Sequence, residues 1–144
     1  TVPHYKFNVG HAATLVMGTD VTIVANGMMV QMAVQAARIL ATQGISVRVL
    51  DMHTVKPVDE AALICAARET SAIVTTEEHN IIGGLGGAVA EVLSSKYPVP
   101  IVRHGVNDSF GRSGSAQKVL EHYRLTPEGI IEKVHEALVL KQQG

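Results

Sequence analysis

A single cysteine in 144 residues, Cys65, has no second cysteine to pair with, so an intramolecular disulfide framework is excluded. A structural zinc site of the usual cysteine-rich kind has no support either. The chain also lacks an excess of one charge: 12 Lys and Arg stand against 13 Asp and Glu, a net charge of −1. That balance leaves no electrostatic footprint for wrapping nucleic acid or an anionic membrane. No apolar stretch approaches the ~20 residues needed to cross a bilayer, and no charged-then-apolar signal segment opens the chain. Repeats, low-complexity tracts and internal linkers are missing as well. What is present is ample material for a core, 47% hydrophobic against 17% charged residues. The expectation is one soluble, cytoplasmic domain without nucleic-acid or membrane partners. The chain starts Thr1-Val2-Pro3 without an initiator methionine, which points to a processed product or a piece of something longer.

Residues 1–12, with Pro3, Asn8 and Gly10 and no clear periodicity, read as a leader or linker, and residues 13–144 as the domain. Thr14-Leu15-Val16-Met17 is a short apolar run closed by Gly18-Thr19-Asp20, and Val21 to Ala25 is apolar and β-branched throughout. The tight turn between them reads as a hairpin, and the continuous apolarity of the second run marks a strand covered on both faces. Met28 to Gln43 carries Met29, Val30, Ala33, Ala36, Ala37 and Leu40 at helical spacing, stopped by Gly44. The four methionines of this region, Met17, Met28, Met29 and Met32, could form a soft binding surface, and ordinary helix-on-sheet packing is the expected reading. The alternation continues with a strand over 45–52, a helix from Asp59 to about Glu69, and a strand over 72–76. A helix over 84–96 follows, with Leu85, Val89, Val92 and Leu93 on one face, then a strand over 99–106. Two helices finish the chain, one starting near Ser115, the other announced by Thr126-Pro127-Glu128 as N-cap and first-turn proline. Strands alternating with helices imply right-handed crossovers and a parallel sheet between helices. The predicted fold is a three-layer α/β/α domain whose five-stranded sheet is mostly parallel, with one antiparallel edge strand.

In such sheets ligands bind beyond the carboxyl ends of the strands. Four segments fall there, Asn26-Gly27-Met28, His53-Thr54-Val55-Lys56-Pro57, Glu77-Glu78-His79-Asn80 and His104-Gly105-Val106-Asn107-Asp108, the third leading into the glycines Gly83-Gly84-Leu85-Gly86-Gly87 at a helix start. Glycines at that position either expose N–H groups to an anion or let the helix pack closely on its neighbour. They match neither the dinucleotide nor the phosphate-loop pattern. Glu77, Glu78 and His79 read either as an acid–base group or as carboxylates serving a helix dipole. Arg112-Ser113-Gly114-Ser115 reads as a capped turn or a phosphate contact. The candidate edge for an anion or an interface is therefore Asn26, His53, Glu78, His79, Gly83, Gly84 and Arg112. The seven histidines are scattered without ligand spacing, so no metal site is expected. Cys65 is expected to be a buried core thiol.

Several motifs carry a family resemblance. Phe7-Asn8-Val9-Gly10-His11 with Leu15 to Gly27, Gly44 to Asp59, Val74-Thr75-Thr76-Glu77-Glu78-His79 with Gly83 to Glu91, Asp108-Ser109-Phe110-Gly111-Arg112-Ser113-Gly114, and Tyr123-Arg124-Leu125-Thr126-Pro127 occur in that order. Together they resemble the C-terminal domain of transketolases, most closely the C-terminal section of split bacterial enzymes. 1-Deoxy-D-xylulose-5-phosphate synthase and 2-oxoacid dehydrogenase beta subunits have related domains. The resemblance implies a part of an enzyme that moves a two-carbon ketol unit between sugar phosphates. It implies thiamine diphosphate with Mg2+ (or Ca2+), bound in the complete enzyme by other domains. The G-D-G of the family's diphosphate site does not occur in this chain, so no catalytic or cofactor residue carries over, and the isolated chain is expected to be inactive. The implied partners are the other transketolase domains or subunit, in a homodimer. Two other readings stay open, a stand-alone regulatory module for small anions and a partner-docking domain of a 2-oxoacid dehydrogenase. Where many relatives have Tyr-Gly-Leu, this chain has Tyr123-Arg124-Leu125. Arginine resists the positive φ that glycine accepts, so a differently shaped turn is expected.

Overall fold

Val21-Thr22-Ile23-Val24-Ala25 is buried at every position, and it forms the middle strand of the sheet. The computed structural model describes residues 10–80, 84–106, 121 and 124–144. Their elements are, in order, β1 (Ala13–Val16), β2 (Val21–Ala25), α1 (Met29–Ala41), β3 (Val47–Asp51), α2 (Glu60–Thr70), β4 (Ile73–Asn80), α3 (Leu85–Lys96), β5 (Ile101–Val106) and α4 (Pro127–Gln143). The helix expected near Ser115 falls outside the described residues.

The sheet order is β1-β3-β2-β4-β5. β2 runs parallel to both β3 and β4, β4 runs parallel to β5, and β1 is antiparallel to β3. The three layers and the antiparallel edge strand are as predicted, whereas the hairpin is not. β1 pairs with β3, and β3 lies between β1 and β2. The turn therefore crosses the amino end of β3. Asp20 N donates to Ser46 O (2.8 Å), Ser46 N to Asp20 Oδ2 (2.7 Å), and Thr19 N to Ser46 Oγ (3.0 Å). Skipping one strand means covering about 9.6 Å, two inter-strand spacings, which a four-residue link reaches easily. A short turn does not by itself distinguish a hairpin from this crossing.

Strand alternation divides the core into two. On one face Ile23, Val49 and Val74 meet α1 through Met29, Ala33 and Leu40, and α4 through Ile130 and Val134. On the other, Val24, Leu50 and Ile73 meet Leu63 and Ala67 of α2 and Leu85, Val89 and Leu93 of α3. The apolar faces anticipated for α1 and α3 are the buried ones. On α2 the buried positions are Leu63, Ala66, Ala67 and Thr70, a stripe at i, i+3, i+4 and i+7. Cys65 lies off that stripe and is exposed, which corrects the expectation of a buried thiol. Its apolar sequence neighbours misled, because a helix turns ~100° per residue and adjacent positions point different ways.

Side-chain caps close the starts of α2 and α4. Asp59 Oδ1 accepts from Ala62 N (3.0 Å) at α2, while its Oδ2 accepts from Ala12 N (2.8 Å) and ties the incoming chain to that helix. Thr126 Oγ1 accepts from Gly129 N (3.0 Å) at α4, as the Thr-Pro-Glu signal predicted.

Candidate functional site

The connections after β2 and β4 leave the sheet on opposite faces, to α1 and to α3, and β2 and β4 are neighbours. Their carboxyl ends thus flank a topological switch point, where open α/β sheets hold ligands. The sequence places the end of this strand at Thr76, whereas β4 continues through Glu77, Glu78, His79 and Asn80. The ladder with β5 runs regularly to Thr76 opposite His104, and next pairs Asn80 with Val106, so β4 bulges in between.

In extended chain consecutive side chains take opposite faces, and the two glutamates separate accordingly. Glu77 turns to the α3 face. It is 1% exposed, and its Oε1 and Oε2 accept from Leu85 N (2.8 Å) and Gly86 N (2.7 Å) in the first turn of that helix. Glu78 turns to the α1 face, where its Oε1 faces Met28 N at 3.5 Å. A Cβ on Gly27 would lie 2.5 Å from the same oxygen, and Gly27 has φ +59°. The positive φ is what favours glycine there, since the Glu78 carboxylate lies at the end of a flexible side chain that can move aside. Each helix N-terminus at the switch point has a carboxylate from the chain itself, a charge the dipole favours.

The remaining predicted residues are placed as follows. Asn26 directly follows β2, and its carbonyl accepts from Met29 N (3.2 Å). His53 follows β3, half-buried, with Nδ1 3.9 Å from Asp51 Oδ1. His79 belongs to β4 by its backbone, and Gly84 is the N-cap of α3. Gly83 and Arg112 lie outside the described residues. The structure brings Glu78 against the segment after Asn26, and it adds Glu77, which the candidate edge omitted. The signal was the Glu-Glu pair directly after an apolar strand: had the strand been extended by two residues, alternation would have sent one carboxylate to each face.

The two glycines within α3 differ. A Cβ on Gly86 would meet Thr75 Oγ1 at 2.9 Å and the Arg103 methylenes at 3.1 and 3.2 Å, whereas one on Gly87 would meet nothing within 4 Å. Gly86→Ala should destabilise by about 1–2 kcal/mol through overpacking, and Gly87→Ala should stabilise by up to ~1 kcal/mol through helix propensity. Chemical denaturation of the two variants reads both signs, and equal effects would mean that helix α3 does not approach β4 as described.

The comparisons with known proteins agree with this architecture. The sequence matches the family described as transketolase, C-terminal domain, over residues 10–130. It is 47% identical over 131 residues to a 6-deoxy-6-sulfo-D-fructose transketolase subunit of Clostridium sp. (strain MSTE9), covering 91% of this chain and 41% of that protein. It is 45% identical over 132 residues to an apulose-4-phosphate transketolase subunit of Phocaeicola vulgatus, covering 92% and 42%. A solved split-gene transketolase, described as an inactive beta4 tetramer, superimposes with a TM-score of 0.93 at 50% identity, over 98% of this chain and 46% of that one. The chain belongs to the transketolase C-terminal domain family. It spans less than half the length of these relatives.

Within this transketolase C-terminal domain, Arg124 itself takes a positive φ of +55°, a conformation that glycine accepts more readily. Its guanidinium bridges Glu132, Nη2 to Oε1 at 2.8 Å and Nε to Oε2 at 3.2 Å. Behind it, buried His104 joins three elements: Nε2 donates to Arg124 O (2.8 Å), which fixes Nδ1 as the acceptor for Thr76 Oγ1 (2.9 Å). Burial holds the His104 pKa below the usual histidine range, partly opposed by the bond to Arg124 O. A depressed native pKa means that the unfolded chain binds the proton first. The contribution is therefore complete above about pH 6.5 and is lost as pH falls from there through the native pKa. His104→Gln should flatten the stability slope below about pH 6.5, measured by denaturation at several pH values, and an unchanged slope would assign the titration elsewhere.

No helix among the described residues is long and apolar enough to cross a membrane. Among the same residues, no group of three or more His, Cys, Asp or Glu is placed to hold a metal ion.

Proposed function

We propose that this chain is the non-catalytic C-terminal domain of a cytoplasmic, thiamine-diphosphate-dependent transketolase of the split type, with residues 13–144 as the domain and its partners the remaining domains or subunit of that enzyme. In the complete enzyme the reaction is ketol transfer between sugar phosphates, and this domain packs the dimer. The observation that carries the reading is the match over nearly the whole chain to just under half of split transketolase subunits. The described residues do not fit the cofactor. The helix start best suited to a diphosphate is filled by Glu77, and no metal-ligand cluster accompanies it. The same occupancy favours an interface over an anion pocket for the candidate edge read from Asn26, His53, Glu78, His79, Gly83, Gly84 and Arg112, of which Gly83 and Arg112 lie outside the described residues.

Calorimetric titration of the chain with thiamine diphosphate and Mg2+ tests this. The expected result is no stoichiometric binding, and no ketol transfer unless a subunit carrying the other domains is added. Saturable binding of the cofactor to the chain alone would sink the proposal.

A further inference from the structure

Between β5 and α4, on the face of the sheet opposite Glu77, lies a cavity of about 180 Å³ whose wall includes His104, Gly105, Arg124, Gly129, Glu132 and Lys133. That is several times the ~30 Å³ share of one water in the liquid, room enough for a tetrahedral oxyanion. The charge of the wall is unbalanced: Arg124 and Lys133 are cations, and Glu132 is its one carboxylate. His104 is buried, with both ring nitrogens committed to Arg124 O and Thr76 Oγ1. Arg103 borders the cavity as well, but its Cγ and Cδ lie beside Gly86 on the α3 face, so its guanidinium is not counted. The Gly129 N–H takes no part, being already given to Thr126 Oγ1.

Neither cation is fixed by burial. Arg124 and Glu132 pair with side chains 54% and 58% exposed, and Lys133 pairs with Glu136 at 3.0 Å, also at the surface. Exposed pairs contribute little, so a phosphate, with more charge and more acceptor oxygens than a carboxylate, can draw both cations to itself. The backbone supplies a second observation. Arg124 is held at φ +55°, where any side chain costs energy that glycine avoids. Residues held so gather at ligand sites. An exposed ion pair does not offset that cost, whereas a guanidinium needed at the mouth of a cavity accounts for it.

We propose that this cavity is a phosphate site, in which Arg124 and Lys133 hold a phosphate group between β5 and α4. The group is either free phosphate or the terminal phosphoryl of a phosphomonoester. The planar fork of Arg124 matches two phosphate oxygens, and Lys133 adds a point charge from the opposite wall. Glu132 is the internal competitor for Arg124. The site stands on this cavity alone, independent of the enzyme to which the domain belongs.

The test is titration of the full chain with inorganic phosphate against chloride at equal ionic strength, read by the thermal unfolding midpoint and by the NMR resonances of the His104 ring. Phosphate should raise the wild-type midpoint saturably and move the His104 resonances with the same Kd. Arg124→Gly, which relieves the backbone, and Lys133→Gln, at the surface, should each weaken binding by about tenfold or more. Glu132→Gln should tighten it by about threefold, because the competing carboxylate is gone. Lys96→Gln, which alters an exposed lysine paired with Glu60 on α3, should change nothing. Glycerol 3-phosphate distinguishes the sources: affinity equal to that of phosphate supports a phosphomonoester ligand, and clearly weaker affinity supports the free anion. A wild-type midpoint that follows chloride overturns the proposal. So does phosphate binding that His104 does not sense, that Glu132→Gln does not tighten, or that survives undiminished in Arg124→Gly or Lys133→Gln.

Discussion

Gly18→Ala is expected to cost about 3–5 kcal/mol, at the upper end for a single added methyl group. The reason is where the turn runs. A Cβ on Gly18 would fall within contact distance of the Val47 carbonyl and the Arg48 amide, both main-chain atoms of β3. A side chain in the way can rotate, whereas a strand held in ladders on both sides cannot. The turn is also fastened to β3 by the bonds through Ser46 and by Arg48, whose Nε donates to Gly18 O (3.1 Å). Arg48 is itself buried and paired through Nη2 with Glu69 Oε1 at 2.6 Å, and this guanidinium holds the Glu69 carboxyl below the usual range. Displacing the turn would thus disturb a buried cation as well as the edge strand. In thermal unfolding the variant should melt roughly 10–15 °C lower. A loss under about 1 kcal/mol would mean that β1 and β2 pair directly and the turn never crosses β3.

That crossing marks the boundary of what local sequence reveals. The all-apolar run of Val21 to Ala25 identified a strand covered on both faces, and the same observation implies a central position with both edges occupied. Once β3 and β4 take those edges, β1 has none left on β2. Pairing partners are a property of the whole sheet, and no window of eight residues contains them. The helices were legible for the opposite reason, since caps and apolar stripes act within two or three turns. Met29, Ala33, Ala36, Ala37 and Leu40 carry their periodicity on the surface of the sequence, and so do Asp59 and Thr126 as caps. Glu77 and Glu78 failed as a strand signal because charged residues are seldom buried in one. What satisfies Glu77 is the first turn of α3, eight and nine residues further on. The candidate edge therefore omits Glu77, the carboxylate that meets the first turn of α3.

The second large effect is expected at Gly129, in the first turn of α4. A Cβ there would run into the Arg124 carbonyl oxygen and lie 2.9 Å from its carbon. That oxygen already accepts from His104 Nε2, so it is held from one side by the imidazole and admitted on the other by the missing side chain. Alanine favours a helix over glycine by ~1 kcal/mol, and on propensity alone Gly129→Ala should stabilise. The steric term should win, because the methyl must push the carbonyl off His104 or lift α4, with buried Ile130, Val134 and Ala137, from the sheet. The expected net loss is about 2–4 kcal/mol. A double-mutant cycle with His104→Gln separates the two responses. If the methyl acts by displacing the carbonyl, its cost should shrink where that carbonyl is no longer held by the imidazole. If the cost is unchanged, the helix itself is being lifted, and His104 is a bystander to the packing of α4.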